Sequence, residues 1–141
     1  MTQLLSQHHG RWQIGANENI TWRTAESFTK GCALVLSVDS EPQSNWVEAD
    51  LIGIEFPAFT DGRGLSLAVL LRQRVGFTGD LRALGAVQED VLHFMLRCGF
   101  TSFALSEDRD PHIVLAQLAP YSQHYQASAS QHLSSLVRLR D

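Results

Sequence analysis

The sequence is poor in cysteine, and its two cysteines are unsuited to a metal cluster or a redox pair. Cys32 and Cys98 lie far apart, and neither has a second cysteine or a histidine beside it at ligand spacing. This excludes a structural zinc site, a Cys-x-x-Cys motif and a cysteine set for an iron–sulfur cluster. The pattern predicts a reducing, cytoplasmic location and no metal site.

Other familiar signatures are also missing. No Gly-x-Gly-x-x-Gly run follows an apolar segment and no phosphate-binding P-loop occurs, so the sequence identifies no cofactor. The absence of a long hydrophobic run predicts no membrane association. A net charge of −4 and a pI near 5.8 argue against a nucleic-acid partner, because binding to phosphate backbones needs clustered positive charge.

What the chain does have is the composition of one folded domain, with 141 residues of which 44% are hydrophobic and 18% charged. We predict an α/β core domain over residues 32–125. An N-terminal extension or hairpin over residues 1–31 precedes it, with residues 11–14 and 19–22 as candidate hairpin strands. Residues 126–141 are interpreted as a tail or a docked helix.

Within the core, short apolar runs alternate with helical patterns. The predicted strands are residues 32–38, 51–56, 81–85 and 100–105. Strands separated by helices indicate parallel βα repeats, so the predicted fold is a half (β/α) barrel or a small open sheet with about four core strands. In both architectures, ligands bind beyond the carboxyl ends of the strands.

The loop after the second predicted strand is the best candidate for a binding site. The predicted ligand-binding residues are Asp61, Gly62, Arg63 and Gly64, together with Arg82. Arg63 lies where a new helix presents its unpaired amides, and the segment from Asp61 to Arg82 holds four arginines against two acids, which favours a small anion. A tight turn with an ordinary helix cap is the alternative. For Arg82, an internal ion pair with an acid such as Glu55 is favoured over substrate contact.

Several motifs of this core resemble an uncharacterised bacterial family. They are Phe-Pro-Ala-Phe-Thr-Asp-Gly-Arg-Gly at residues 56–64, Leu-Leu-Arg at 70–72 followed by Arg74, Gly-Asp-Leu-Arg-Ala at 79–83, and Arg-Cys-Gly-Phe at 97–100. The genes of that family often lie beside those for sulfite reductase, and its members are labelled probable oxidoreductases of sulfite reduction. The likeness covers about residues 32–125. This chain departs from the family pattern at Leu65, where an aromatic residue is usual, and at Ala86, where an aspartate is usual.

The resemblance implies a role in assimilatory sulfite reduction and supplies no catalytic residue. Three hypotheses follow. The chain is an accessory that binds sulfite reductase or a small oxyanion through residues 61–64. Alternatively, it is an oxidoreductase of sulfur assimilation that uses a flavin or nicotinamide cofactor. The third hypothesis is a non-catalytic structural module whose open edge pairs with a second copy, as a homodimer, or with another chain.

Overall fold

The fold is an open α/β sheet of seven strands. The computed structural model describes residues 3–8, 11–16, 20–58, 61–87, 91–105 and 110–116. The strands are β1 (Gln3–His8), β2 (Arg11–Ala16), β3 (Trp22–Arg23), β4 (Ala33–Ser37), β5 (Leu51–Phe56), β6 (Asp80–Gly85) and β7 (Ser102–Leu105). Their order is β2-β1-β7-β6-β5-β4-β3, so the sheet has two edges and is not closed into a barrel. The predicted α/β fold of parallel βα repeats is confirmed in its open-sheet form and not as a half barrel, and the four predicted core strands correspond to β4, β5, β6 and β7.

Strands β3 to β7 are parallel, and each lies beside its neighbour in the sequence. The connections contain two 3₁₀ helices (Ala25–Ser27 and Ser44–Glu48), helix α1 (Gly62–Leu70), which continues as a π-helical turn (Leu71–Val75), and helix α2 (Leu92–Cys98). Residues 111–116 are helical after β7. Each connection from β3 to β7 moves one strand further in the same direction across the sheet. Since such crossovers are right-handed, their helices lie on one face of the sheet, and the core forms between these helices and that face.

The core is built from alternate residues of the strands and the inner side of α1. On β4 and β5 the buried side chains include Leu34, Leu36, Ile52 and Ile54, and Leu67 of α1 packs in the same cluster. Among the described residues, no helix is long and apolar enough to cross a membrane.

The start of helix α1 and the end of its π-helical turn are each fixed by one residue with a strong capping preference. Asp61 is the N-cap, and its side chain accepts a hydrogen bond from the backbone N–H of Arg63, which satisfies one of the unpaired amides of the first turn. The π-helical turn ends at Gly76, which has a φ of 80°. Glycine adopts this left-handed conformation without the steric cost that a side chain would add.

Two glycines in the first turn of α1, Gly64 and Gly62, differ in how much space a side chain would have. A Cβ at Gly64 would lie 2.2 Å from Cε2 of Phe56, whereas a Cβ at Gly62 has no atom within 4 Å. The Phe56 ring is buried and packs on Phe100, so it has little room to move. We expect Gly64→Ala to lower the free energy of unfolding by about 1–3 kcal/mol and Gly62→Ala to raise it by about 0.5–1 kcal/mol, as measured by urea denaturation.

The double variant Gly64→Ala/Phe56→Leu provides the control. The smaller leucine removes the ring atoms that a new methyl group would meet, so the cost of the alanine should fall in that background. An unchanged cost would contradict the packing explanation.

The N-terminal hairpin is formed by different segments from those predicted. Residues 11–14 belong to β2, but β2 pairs with β1 and not with residues 20–22; residue 19 of the predicted strand lies outside the described residues. Trp22 instead lies in β3, which runs parallel to β4. Buried Leu5 of β1 lies opposite Phe103 of β7, so burial against the core selects the earlier segment as a strand.

Residues 3–8, 11–16 and 22–23 therefore extend the same sheet that the core strands form. The domain boundaries inferred from the sequence stay predictions. The predicted C-terminal tail or docked helix, residues 126–141, lies outside the described residues.

Candidate ligand-binding site

A cavity of about 560 Å³ lies where β4 and β5 end. The loops that follow β3, β4 and β5 and the first turn of α1 surround it. Its lining residues include Thr24, Ala25, Glu26, Val35, Leu36, Ser37, Val38, Asp39, Ser40, Glu55, Pro57 and Arg63. The carboxyl edge of a parallel sheet is the usual place for a ligand, and the volume falls within the range of about 300–1,000 Å³ that is typical of small-molecule pockets.

Asp61 holds the guanidinium of Arg63 at the rim of this cavity. The Nε of Arg63 donates to Oδ1 of Asp61 at 3.0 Å, and Nη2 donates to Oδ2 at 2.7 Å. The side chain of Arg63 is 62% exposed, while that of Asp61 is 12% exposed. The carboxylate therefore caps the helix and fixes the orientation of the arginine at the same time.

The Asp61–Arg63 pair keeps both groups charged. Hydrogen bonding from the Arg63 side chain lowers the pKa of Asp61, and the same bond raises the pKa of Arg63. The carboxylate takes one edge of the guanidinium, formed by Nε and Nη2. Its Nη1 group makes no hydrogen bond to the described residues, so Arg63 still has donors for a ligand.

Three acidic side chains also line the cavity. Ser37 and Glu55 are register partners at the ends of β4 and β5, and both are exposed. The hydroxyl of Ser37 donates to Oδ1 of Asp39, and this bond is the main reason that the pKa of Asp39 is lowered. Asp39 is thus an anion at neutral pH. Glu26, after β3, adds a third carboxylate.

The four predicted residues of the 61–64 loop are brought together at the start of α1, but they differ in what they contact. Arg63 lines the cavity and Asp61 supports it. Gly64 is buried against the Phe56 ring, so its missing side chain serves helix packing. Gly62 is exposed and has open space around it.

Arg82, the fifth predicted residue, lies apart from this group on β6. Its side chain is 9% exposed; Nη2 donates to Oδ2 of Asp80 at 3.0 Å, and Nε donates to Ser102 at 2.9 Å. An internal ion pair is therefore present, but the expectation of Glu55 as the partner is wrong. Glu55 lies opposite Leu84, whereas Asp80 is two residues from Arg82 and on the same face of β6.

The positive charge of the segment from Asp61 to Arg82 does not form one patch. Arg72 is partly buried and binds three backbone carbonyls, Arg74 is exposed on the π-helical turn, and Arg82 pairs with Asp80. Among the described residues that line the cavity, Arg63 alone is basic. Adding charges along the sequence therefore overestimated the attraction for an anion.

The sequence analysis did not identify the acidic side chains that line the cavity, Glu26, Asp39 and Glu55. Glu55 interrupts an otherwise apolar strand, and that interruption is the signal that could have placed it on the open end of β5. Nothing comparable marks residues 24–26, because they reach the site only through the pairing of β3 with β4. Within the described ranges, no three histidine, cysteine or acidic side chains are grouped to hold a metal ion.

The geometry defines an open-sheet α/β protein with a polar cavity at the carboxyl edge of its parallel strands. The chain belongs to the family described as "Bacterial protein of unknown function (DUF934)", whose model matches residues 35–136. No curated protein and no solved structure matches the chain.

Proposed function

We propose that this protein is an accessory of assimilatory sulfite reduction, which binds a small anionic ligand at Arg63 and interacts with sulfite reductase. One observation carries the proposal: Arg63 lines a cavity at the carboxyl edge of a parallel sheet. The link to sulfite rests on the resemblance of residues 56–64, 79–83 and 97–100 to proteins encoded beside sulfite reductase.

The proposed contact uses donors that are already in place. Asp61 fixes the guanidinium, so little side-chain entropy is lost when a ligand binds. The first turn of α1 adds the positive end of the helix dipole near the same position. A sulfite or sulfate oxygen would accept hydrogen bonds from Nη1, which Asp61 leaves unoccupied.

Sulfite should therefore stabilise the folded protein in a way that depends on Arg63. A ligand at about one hundred times its dissociation constant adds roughly 2.7 kcal/mol to the free energy of unfolding. We expect a rise in melting temperature with sodium sulfite, measured by scanning fluorimetry against sodium chloride of equal ionic strength. In Arg63→Ala this rise should be lost.

Arg74→Ala is the matched control, because Arg74 is exposed and does not line the cavity. It removes the same charge and should keep the response to sulfite. A second measurement is copurification of the protein with sulfite reductase. The proposal fails if sulfite, sulfate and phosphate all leave the melting temperature unchanged and the enzyme does not copurify.

A further inference from the structure

We infer that the acidic group bound at Arg63 belongs to a small organic zwitterion, whose ammonium group contacts the carboxylates that line the same cavity. This inference rests on the function proposed above, since it uses the same arginine. It goes further by naming the chemical class of the ligand.

The charge of the described lining is the first argument. Glu26, Asp39 and Glu55 supply three carboxylates against the single guanidinium of Arg63, which leaves a net charge of −2. Asp61 further neutralises that guanidinium. A bare dianion inside the cavity would be repelled by the three carboxylates, whereas a ligand with an ammonium group turns the same carboxylates into partners.

The availability of these groups is the second argument. Glu55 makes no hydrogen bond or ion pair with the described residues and is exposed, so its carboxylate is available to a ligand. Asp39 is held as an anion by Ser37, and Ser40 contributes a further hydroxyl beside it. Arg63 offers Nη1 to a ligand in the same cavity. The site therefore holds acceptors for an ammonium group and a donor for an acidic group.

The size of the cavity is the third argument. A volume of 560 Å³ suits an organic molecule, while sulfite has only four heavy atoms. An inorganic oxyanion would occupy the rim near Arg63 and leave the rest of the space to water. A molecule that joins an acidic group to an amine by a short carbon chain can contact Arg63 and a carboxylate of the cavity at the same time.

Three matched compounds test this inference by calorimetric titration. Taurine carries a sulfonate and an ammonium group, isethionate replaces the ammonium group by a hydroxyl, and ethanolamine lacks the sulfonate. We expect taurine to bind at least tenfold more tightly than either of the other two. Equal binding of taurine and isethionate would overturn the inference, as would ethanolamine binding as tightly as taurine.

Glu55→Gln separates this inference from the proposed function. The variant should lose most of the preference for taurine and should bind isethionate more tightly, because a repulsive charge is removed. Glu48→Gln is the matched control, since Glu48 is exposed and does not line the cavity. If Glu55→Gln changes nothing while Arg63→Ala abolishes binding of sulfite, the zwitterion is wrong and the anion site stands. If Arg63→Ala has no effect on any of these anions, the proposed function fails, and the inference fails with it.

Discussion

Replacement of Arg72 by alanine should destabilise the protein by about 3–5 kcal/mol, which is a large part of the roughly 5–15 kcal/mol that holds a domain folded. Its Nη1 donates to the carbonyls of Phe77 and Gly79 at 2.9 and 2.8 Å, and its Nη2 donates to the carbonyl of Gly99 at 2.7 Å. The guanidinium also lies over the Phe77 ring. One side chain thus joins the end of α1, the turn before β6 and the end of α2.

The cost arises because the three carbonyls stay in place when the arginine is removed. An acceptor that loses its partner away from water costs about 1–3 kcal/mol. Burial lowers the pKa of Arg72, which shows that placing a charged guanidinium here costs free energy. Its hydrogen bonds to the three carbonyls offset that cost.

Two further variants isolate the hydrogen bonds in urea denaturation. Arg72→Met keeps the length of the side chain and much of its packing, and we expect it to lose most of the same stability. Arg74→Ala removes an exposed arginine from the same turn and should change the stability by less than about 0.5 kcal/mol. A methionine variant as stable as the original protein would show that packing, and not the hydrogen bonds, explains the effect.

The sequence best predicts those parts of the fold whose conformation is set by residues close together in the chain. Strand β5 has the predicted bounds, because a short apolar run before a Pro-containing loop suits a buried parallel strand. Asp61 is the N-cap of α1, and Gly76 and Gly99 end the helical segments with positive φ values. In each case the signal is a single residue with a strong conformational or hydrogen-bonding preference.

The parts that could not be predicted depend on contacts between distant segments. Arg72 bonds the carbonyl of Gly99, 27 residues further along the chain. The cavity joins residues 24–26 to Arg63 only because β3 adds to the edge of the sheet. Residues two positions apart on a helix lie on different faces, so Arg72 and Arg74 diverge, but no local pattern shows which one is partly buried.

Gly85→Ala should be at least as damaging as Arg72→Ala, and Gly76→Ala provides its matched comparison. The two glycines have nearly the same φ, 81° and 80°, so both substitutions carry the cost of a left-handed residue, about 1–2 kcal/mol. They differ in their surroundings. A Cβ at Gly76 has no atom within 4 Å, whereas a Cβ at Gly85 would lie 2.5 Å from the backbone oxygen of Phe56.

That oxygen cannot move aside easily. It accepts a hydrogen bond from the backbone N–H of Ala86 at 2.9 Å, and Phe56 and Gly85 are register partners at the carboxyl ends of β5 and β6. Relief of the contact requires the two strands to separate beside the cavity. We therefore expect Gly85→Ala to lower the free energy of unfolding by about 3–5 kcal/mol, against about 1–2 kcal/mol for Gly76→Ala.

Asparagine at the same two positions separates backbone conformation from contact. Asparagine tolerates a positive φ better than alanine, so Gly76→Asn should recover much of the stability that Gly76→Ala loses. Gly85→Asn still places a Cβ against the Phe56 oxygen and should remain as unstable as Gly85→Ala. If asparagine rescued both positions equally, the close approach of β5 and β6 would not be what requires glycine at residue 85.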